Sequence, residues 1–168
     1  KYDTSSLLSV GGGGAQLQPD LVDKIDKTVS TARPNTGYGM TETSGIITSV
    51  SGDFFVDKPA SCGRAMPTFE TRIVGDNGEA LPPGQPGELW VRGYPLMDSL
   101  NKRERADTLT ADGWYRTGDA GFFDAFGHFH FTGRMGDLIK TSGMNVTPRE
   151  VEAVIEAQPE VALAFVTA

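Results

Sequence analysis

The alternation of apolar and polar residues over the first 60 positions predicts a βαβ-like unit. Residues 7–10 form a short apolar run, typical of a buried strand, which ends in four glycines at residues 11–14. A second strand-like run leads into residues 36–43. Because ligands favour the carboxyl ends of such strands, we expect a site there. Between the two runs, Pro19 suits a helix start, and the positions that share one helical face are Leu21, Val22, Ile25 and Val29.

Between residues 61 and 135 the pattern changes to a period of two, which predicts a small antiparallel β-sheet or barrel. Residues 69–74 alternate, and residues 76–78 suit a turn before the next strand. Towards the end of this part, His128 and His130 alternate with two phenylalanines in a segment expected to form a hairpin. Since successive side chains of a strand point to opposite faces, we expect both histidines on the solvent face.

The last part of the chain predicts a hairpin followed by a capped helix. Apolar positions on both sides of residues 141–144 indicate the hairpin. Thr147 can cap a helix that begins at Pro148, and Glu150 completes a capping box. Residues 161–166 are typical of a buried strand. The helical positions expected to face the core are Val151, Val154 and Ile155. Together the three parts predict a mixed α/β fold.

Composition excludes several classes of protein. The 168 residues include 15 Lys+Arg and 22 Asp+Glu, a net charge of −7, which argues against a nucleic-acid or anionic-membrane surface. Cys62 is the only cysteine, so an internal disulfide and a cysteine-rich zinc site are excluded. No apolar run approaches the roughly 18 residues that a membrane-spanning helix needs. We expect a cytoplasmic protein with no nucleic acid partner and no transmembrane segment.

Glycine is unusually frequent, with 21 residues that cluster between apolar runs. Such clusters allow tight turns, or let a ligand approach the main chain closely. The phosphate-loop patterns G-x-G-x-x-G and G-x-x-x-x-G-K-[ST] are nevertheless absent, as is the nucleophile pattern G-x-S-x-G. The glycines alone therefore assign no chemistry.

Three polar groups offer chemistry suited to a nucleotide-like ligand. Tyr38, Thr41 and Glu42 supply a ring that can stack, a hydroxyl that can donate to phosphate and a carboxylate that can hold Mg²⁺. Asp119 lies on a glycine turn and can accept hydrogen bonds from a vicinal diol, and Arg134 supplies a cation. Each of them alone would more often be a cap or turn residue. As a set, they allow a site for a polar, planar, diol-bearing anion.

These residues belong to an ordered series of motifs that closely resembles the adenylate-forming enzyme superfamily. That superfamily includes acyl-CoA synthetases, firefly luciferase and nonribosomal-peptide adenylation domains. Its members activate a carboxylate with Mg-ATP as an acyl-adenylate, release pyrophosphate, and usually transfer the acyl group to a thiol. The motifs are Tyr-Gly-Met-Thr-Glu at 38–42, Trp-Tyr-Arg-Thr-Gly-Asp at 114–119, Gly-Arg at 133–134, and the series Ile139, Lys140, Gly143, Val146, Pro148 and 150–152.

The resemblance implies an adenine site and a phosphate site. Tyr38 stacks on the adenine ring, Thr41 contacts the α-phosphate and Glu42 holds Mg²⁺, so that the last two are the implied catalytic residues. The main chain implied to lie beside the nucleotide includes Gly13, Gly14, Ala15 and Gly39.

The resemblance also implies a ribose site and a coenzyme A site. Asp119 accepts both ribose hydroxyls, and Arg134 also reaches the ribose. The hairpin that carries Lys140 and Gly143 moves towards the site for thioester formation, where Gly143 lets the pantetheine arm pass. The implied cofactors are thus ATP or AMP, Mg²⁺ and coenzyme A, and the implied partner is a carboxylic-acid substrate.

Three regions follow from the resemblance. Residues 1–60 would end the α/β AMP-binding subdomain, residues 61–135 would form a β-rich subdomain, and residues 136–168 would begin a small mobile C-terminal domain. Gly136 stands at the hinge position, where relatives often carry Asp or Lys. The family's phosphate loop and its adenylation lysine lie outside this sequence, so we expect a segment of a longer enzyme that is inactive by itself.

Two alternatives stay open. The segment from Ile139 to Gly143 favours an acyl-CoA synthetase over a peptide-synthetase or luciferase-like enzyme, which would differ in the acyl acceptor. A non-catalytic nucleotide-binding or interaction module is the alternative from another class. Because strand edges and apolar faces are expected to be exposed, self-association of the segment is also predicted.

Overall fold

The computed structural model describes residues 2–14, 17–141 and 144–167, and it has the predicted mixed α/β fold. The strands are β1 (Ser9–Gly12), β2 (Arg33–Met40), β3 (Gly45–Ser51), β4 (Arg64–Ala65), β5 (Phe69–Val74), β6 (Gly87–Gly93), β7 (Tyr115–Phe123), β8 (Phe129–Arg134), β9 (Ile139–Thr141) and β10 (Met144–Val146). The helices are α1 (Pro19–Thr28), α2 (Asp53–Asp57), α3 (Arg105–Thr108) and α4 (Pro148–Glu156), with 3₁₀ turns at Thr41–Thr43 and Met135–Asp137. Within the described ranges, each helix is too short or too polar to cross a bilayer.

The first sheet contains β1 to β4 in sequence order and confirms the βαβ unit. β1 and β2 are parallel and are joined by α1, while β2, β3 and β4 pair antiparallel. Val22 of α1 is buried with Val50 and Phe55, so one face of the sheet is covered by α1 and α2. The unit directs the carboxyl end of β2 into the 3₁₀ turn that contains Thr41.

The prediction that residues 7–10 form a buried strand is wrong. The strand is β1, Ser9–Gly12, and Leu8 is 80% exposed. β1 is the edge strand of its sheet, and a strand buries its side chains only where another layer of structure covers it. The apolar run therefore predicted that a strand forms here, but it did not predict that the strand is exposed.

The second sheet contains β5, β6, β7 and β8 in an antiparallel meander, as the period-two pattern predicts. Its inward positions form the largest buried cluster, to which β3 of the first sheet contributes. A backbone bridge also connects the sheets, because Phe129 donates to the carbonyl of Gly63 at 2.8 Å. The two sheets thus share one core of Ile47, Phe69, Ile73, Leu89, Val91 and Phe129.

The prediction that both histidines face solvent is wrong for His128, which is only 4% exposed. Its Nδ1 lies 3.3 Å from the hydroxyl of Ser61, and its backbone N–H donates to Asp124 Oδ1 at 2.9 Å. His130 is half-buried, with Nε2 3.4 Å from Asp124 Oδ2. The alternation identified the face of the strand correctly, but the loop that carries Ser61 covers that face near His128.

Burial of His128 predicts a pH-dependent stability. Burial lowers the pKa of His128 below its usual 6.5, against the opposing charge of Asp124. The unfolded chain therefore binds a proton that the folded chain excludes, so the free energy of unfolding should fall as the pH drops below about 6.5. Urea unfolding of the protein and of His128→Gln between pH 5 and 8 tests this. A variant with the same pH dependence as the parent would contradict it.

The C-terminal hairpin and the helix cap are confirmed. β9 and β10 pair antiparallel, and the Thr147 hydroxyl accepts a hydrogen bond from the backbone N–H of Glu150 at 3.3 Å. Two other expectations are wrong: Val154 is 69% exposed and Ile155 is 38% exposed, and residues 161–166 form no strand. These residues instead form an irregular segment alongside α4, where the carboxylates of Glu152 and Glu156 accept its backbone N–H groups.

Candidate nucleotide-binding site

The 3₁₀ turn after β2 is closed by a side chain that the sequence analysis did not single out. The hydroxyl oxygen of Thr43, which is buried, accepts from the backbone N–H of Met40 at 3.2 Å and donates to the carbonyl of Gly45 at 2.8 Å. Thr41 is exposed and Glu42 is partly exposed. Thr43 thus satisfies the turn internally and leaves the two neighbouring side chains available for a ligand.

Gly39 has a structural explanation in this turn. A Cβ at this position would collide with the carbonyl oxygen of Gly45. The register between β2 and β3 also shifts between Tyr38 and Gly39. No side chain fits at residue 39, so this position of β2 lines the cavity beside it with main-chain atoms alone.

Asp119 is the buried centre of the site. It lies on β7 and is 1% exposed, and its Oδ2 accepts a hydrogen bond from the Tyr38 hydroxyl at 2.5 Å. Arg134 Nη1 lies 2.8 Å from Oδ1, because Asp119 and Arg134 are register partners on β7 and β8. Burial raises the pKa of Asp119, while Tyr38 and Arg134 act in the opposite direction.

One oxygen of this carboxylate keeps acceptor capacity. Although Arg134 Nη1 is close to Oδ1, its N–H is badly aligned, and within the described residues Oδ1 accepts no hydrogen bond of good geometry. A buried polar atom without such a bond is costly, and a ligand hydroxyl would satisfy it. This oxygen is the strongest local indication of a ligand donor.

Tyr38 is held by aromatic packing as well as by Asp119. Its ring centroid lies 5.1 Å from that of Phe129 and 6.1 Å from that of Phe131, nearly parallel to the latter. Burial and the Asp119 carboxylate raise the pKa of Tyr38, so the phenol stays protonated and remains a donor. The ring is consequently fixed in place rather than free to rotate.

Two adjoining cavities surround these groups. The first, of about 150 Å³, runs between the glycine-rich loop after β1 and the Asp119 carboxylate. The second continues along the glycine-rich loop and β2 to Thr41, and the two share five lining residues, which include Gly14 and Gly39. A Cβ on Gly13 or Gly14 would meet no atom within 4 Å, so a ligand has room beside that loop.

The structure brings most of the predicted site residues to these cavities. Glu42 lines neither of them, but its charge is close enough to raise the pKa of Asp119. Ala15 and Gly143 lie outside the described residues, and for Lys140 only the backbone in β9 is described. The predicted residues that line the two cavities are Gly13, Gly14, Tyr38, Gly39, Thr41, Asp119 and Arg134.

The donor set fits a magnesium ion that arrives with a nucleotide. Among the described residues, no group of three His, Cys, Asp or Glu side chains could hold a metal ion. Glu42 is a single carboxylate beside the exposed Thr41. Mg²⁺ is usually held by one or two carboxylates together with substrate phosphates and water, which a site of this kind supports.

Sequence reasoning missed other residues of the first cavity. Cys62 and Phe131 line it, together with Ser61. Phe131 could have been found, because its alternation with the histidines predicts an inward face. Cys62 belongs to no motif, and it reaches the cavity because its backbone N–H donates to the carbonyl of Phe129 at 2.8 Å.

Together, the two cavities thus lie between a glycine-rich loop and the buried carboxylate of Asp119. A family model described as AMP-binding enzyme matches residues 1–99, and the chain belongs to this family, within the adenylate-forming superfamily. The chain is 37% identical over 164 residues to 4-coumarate–CoA ligase-like 9 of Arabidopsis thaliana, covering 96% of this chain and 29% of that protein. It is 36% identical over 165 residues to luciferin 4-monooxygenase of Photinus pyralis, covering 96% and 30%.

Solved structures agree with this assignment. The o-succinylbenzoate CoA synthetase MenE of Bacillus subtilis, in complex with its acyl-adenylate intermediate, matches with a TM-score of 0.84 and 33% identity, covering 95% of this chain and 32% of that one. The amide bond synthetase McbA of Marinactinospora thermotolerans matches with a TM-score of 0.82 and 35% identity, covering 98% and 34%. The chain thus spans about a third or less of the length of these relatives.

Proposed function

We propose that this chain forms the adenosine- and phosphate-facing wall of an acyl-CoA synthetase, which activates a carboxylic acid with ATP and transfers the acyl group to coenzyme A. The observation that carries the proposal is the buried carboxylate of Asp119. Its Oδ2 accepts a hydrogen bond from the Tyr38 hydroxyl, and its Oδ1 lies near the Arg134 guanidinium but accepts no well-aligned hydrogen bond. Such a carboxylate is suited to a ribose diol, because it can accept two hydroxyl donors.

In the proposed site, Asp119 accepts the ribose hydroxyls and Arg134 lies beside them. The ring of Tyr38 provides a flat surface for adenine, while its hydroxyl keeps Asp119 oriented. Open space beside Gly13 and Gly14 supports adenine contacts with the main chain. The same role is proposed for Ala15 and Gly39 on the basis of their motifs.

Thr41 and Glu42 are proposed to act at the reacting phosphate. The exposed Thr41 hydroxyl would donate to the α-phosphate, where negative charge increases as the carboxylate attacks. Glu42 would hold the magnesium ion, which supplies charge neutralisation at the phosphates when bound. Both side chains lie on the rigid turn that Thr43 closes, so they are positioned before the nucleotide arrives.

Residues 136–168 are proposed to begin a mobile domain that delivers the acceptor. Gly136 lies in the 3₁₀ turn between β8 and β9, and a Cβ there would meet no atom within 4 Å. This openness supports a hinge, since no packed side chain resists rotation. Lys140 and Gly143 on the following hairpin are proposed to meet coenzyme A.

The choice of coenzyme A as acceptor is supported by relatives that are named CoA ligases or synthetases. A different acceptor is the second candidate, because similar proteins also include a luciferin monooxygenase and an amide bond synthetase. The chain alone is proposed to be inactive, because it spans about a third or less of its relatives.

Pyrophosphate exchange tests the proposal on the full-length protein that carries this chain. A panel of carboxylic acids is supplied with Mg-ATP, and the acyl acceptor is then varied between coenzyme A, amines and oxygen. Acid-dependent exchange followed by thioester formation is expected. Failure of every acid to drive exchange would contradict the activity, whereas amide or oxidised products would support the second candidate. Calorimetry of the 168-residue chain with AMP should show weak binding or none.

A further inference from the structure

Glu88 on β6 is a buried carboxylate that the site described above does not use. The residue is 7% exposed, and its two oxygens have different partners. Oε2 accepts from the indole N–H of Trp90 at 2.8 Å and from the guanidinium of Arg116 at 3.0 and 3.1 Å. Oε1 accepts from the backbone N–H of Gly118 at 3.1 Å. Glu88 therefore reaches from its own strand to the main chain immediately before Asp119.

The segment that Glu88 holds is an irregular part of β7. Glu88 pairs with Ala120 and Trp90 pairs with Arg116, so β7 advances by four residues where β6 advances by two. The extra residues form a bulge around Gly118, whose φ is 71°. A bulge leaves backbone groups without ladder partners and redirects the side chains next to it.

Two side chains hold this bulge in place. The hydroxyl of Thr117 donates to the carbonyl of Leu89 at 2.7 Å and accepts from the backbone N–H of Asp119 at 3.1 Å. The carboxylate of Glu88 accepts a hydrogen bond from the backbone N–H of Gly118, the residue between Thr117 and Asp119. The backbone N–H groups of Gly118 and Asp119 are thus both satisfied by side chains.

We propose that Glu88 is a positioning residue for ribose recognition: its carboxylate holds the Gly118 bulge and thereby aims Asp119 at the nucleotide cavity. This inference rests on the proposed function of Asp119. The hydrogen bond between Oε1 and Gly118 carries the effect, whereas the contacts of Oε2 with Trp90 and Arg116 fix the carboxylate itself. Glu88 does not touch the ligand; it acts through Asp119.

Selectivity for the ribose hydroxyls separates this role from a general contribution to stability. In the full-length protein, kcat/KM is measured with ATP, 2′-deoxy-ATP and 3′-deoxy-ATP. The parent is expected to prefer ATP by about tenfold or more, because each lost hydroxyl removes a hydrogen bond to a charged group. Glu88→Met fills the same space but accepts no hydrogen bond, and it should reduce this preference to about threefold or less, mainly through KM.

Two further variants test this role. Glu88→Gln keeps the length of the side chain but has only one acceptor oxygen, which should face the three N–H groups of Trp90 and Arg116 and leave an NH2 group towards the Gly118 N–H. This variant should therefore lose the preference for ATP as Glu88→Met does. Arg116→Met removes a partner of Oε2 whose side chain is 64% exposed, and leaves Oε1 on Gly118. This variant should retain the preference, because the indole N–H of Trp90 still holds Oε2. If Glu88→Met does not fold, Glu88→Asp replaces it, since its shorter carboxylate cannot reach Gly118 within hydrogen-bond distance.

The outcomes distinguish this inference from the function on which it rests. If Asp119→Ala loses the preference for ATP and the folded Glu88 variant keeps it, the positioning role is wrong and the ribose site stands. If Asp119→Ala also keeps the preference, the ribose assignment itself fails. Equal loss in the Arg116→Met and Glu88→Met variants would show that general destabilisation of the sheet is responsible and would overturn the positioning role.

Discussion

ATP binding to the full-length protein should weaken by about 2–4 kcal/mol when Asp119 is replaced by alanine. The variant loses the buried carboxylate that is proposed to accept the ribose hydroxyls, and it leaves the Tyr38 hydroxyl and the Arg134 guanidinium without their common partner. The dissociation constant for ATP should therefore rise by between about 30-fold and several hundredfold. Calorimetric titration with ATP and AMP measures this, and both nucleotides should be affected because the ribose is common to them.

Two variants control for this result. Asp119→Asn keeps the shape and one acceptor oxygen, so its loss of affinity should be smaller. Glu70→Ala removes an exposed carboxylate that pairs with Arg92 on another part of the second sheet, and it should leave the affinity unchanged. A folded Asp119→Ala protein that binds ATP as tightly as the parent would exclude Asp119 as the ribose acceptor.

Replacing Glu42 by glutamine should lower the rate of adenylate formation by about 100-fold or more. The substitution removes the negative charge proposed to hold Mg²⁺ while it keeps the length of the side chain. Because Glu42 is not expected to contact adenosine, binding of AMP without magnesium should change little. Raising the Mg²⁺ concentration should recover part of the rate, since the weakened metal site is then more fully occupied.

The same exchange assay, run over a range of Mg²⁺ concentrations, checks this expectation. Glu70→Gln is the matched control, because it removes a carboxylate that lies away from both cavities. An unchanged rate with an unchanged magnesium dependence in Glu42→Gln would show that this carboxylate does not hold the metal.

Local patterns predicted the elements that depend on near neighbours in the chain. Helix α4 begins where Thr147, Pro148 and Glu150 indicate, because a cap requires only contacts within one turn. The period of two in residues 69–74 predicted β5, and the apolar runs around residues 141–144 predicted the hairpin of β9 and β10. These interactions span a few residues, so the sequence alone contains the information.

Burial was predicted less well, because it depends on what covers each face. Leu8 and Val154 are apolar but exposed, and His128 is polar but buried. Periodicity states which side chains share a face of a strand or helix. It does not state which of the two faces receives a neighbouring layer.

The candidate site shows the same division. Motifs resembling the adenylate-forming superfamily identified Tyr38, Asp119 and Arg134 and implied a role for each, but they did not predict the contacts between these side chains. The contact between the Tyr38 hydroxyl and Asp119 joins residues 81 positions apart, and no local pattern predicts a hydrogen bond over that distance. Glu88 escaped notice for the same reason, since its role depends on a register shift between two strands.

The amino-acid sequence by itself determined the mixed α/β class and most of the strands and helices, because these follow from short-range periodicity and residue chemistry. The family followed from the resemblance of its motifs, which are also short segments of the chain. Only the folded chain established that β2, β7 and β8 bring their polar side chains to one cavity, and that β7 bulges around Gly118, directly before Asp119. The physical reason is that strand register and the packing of one sheet on another are set by contacts between residues far apart in the chain.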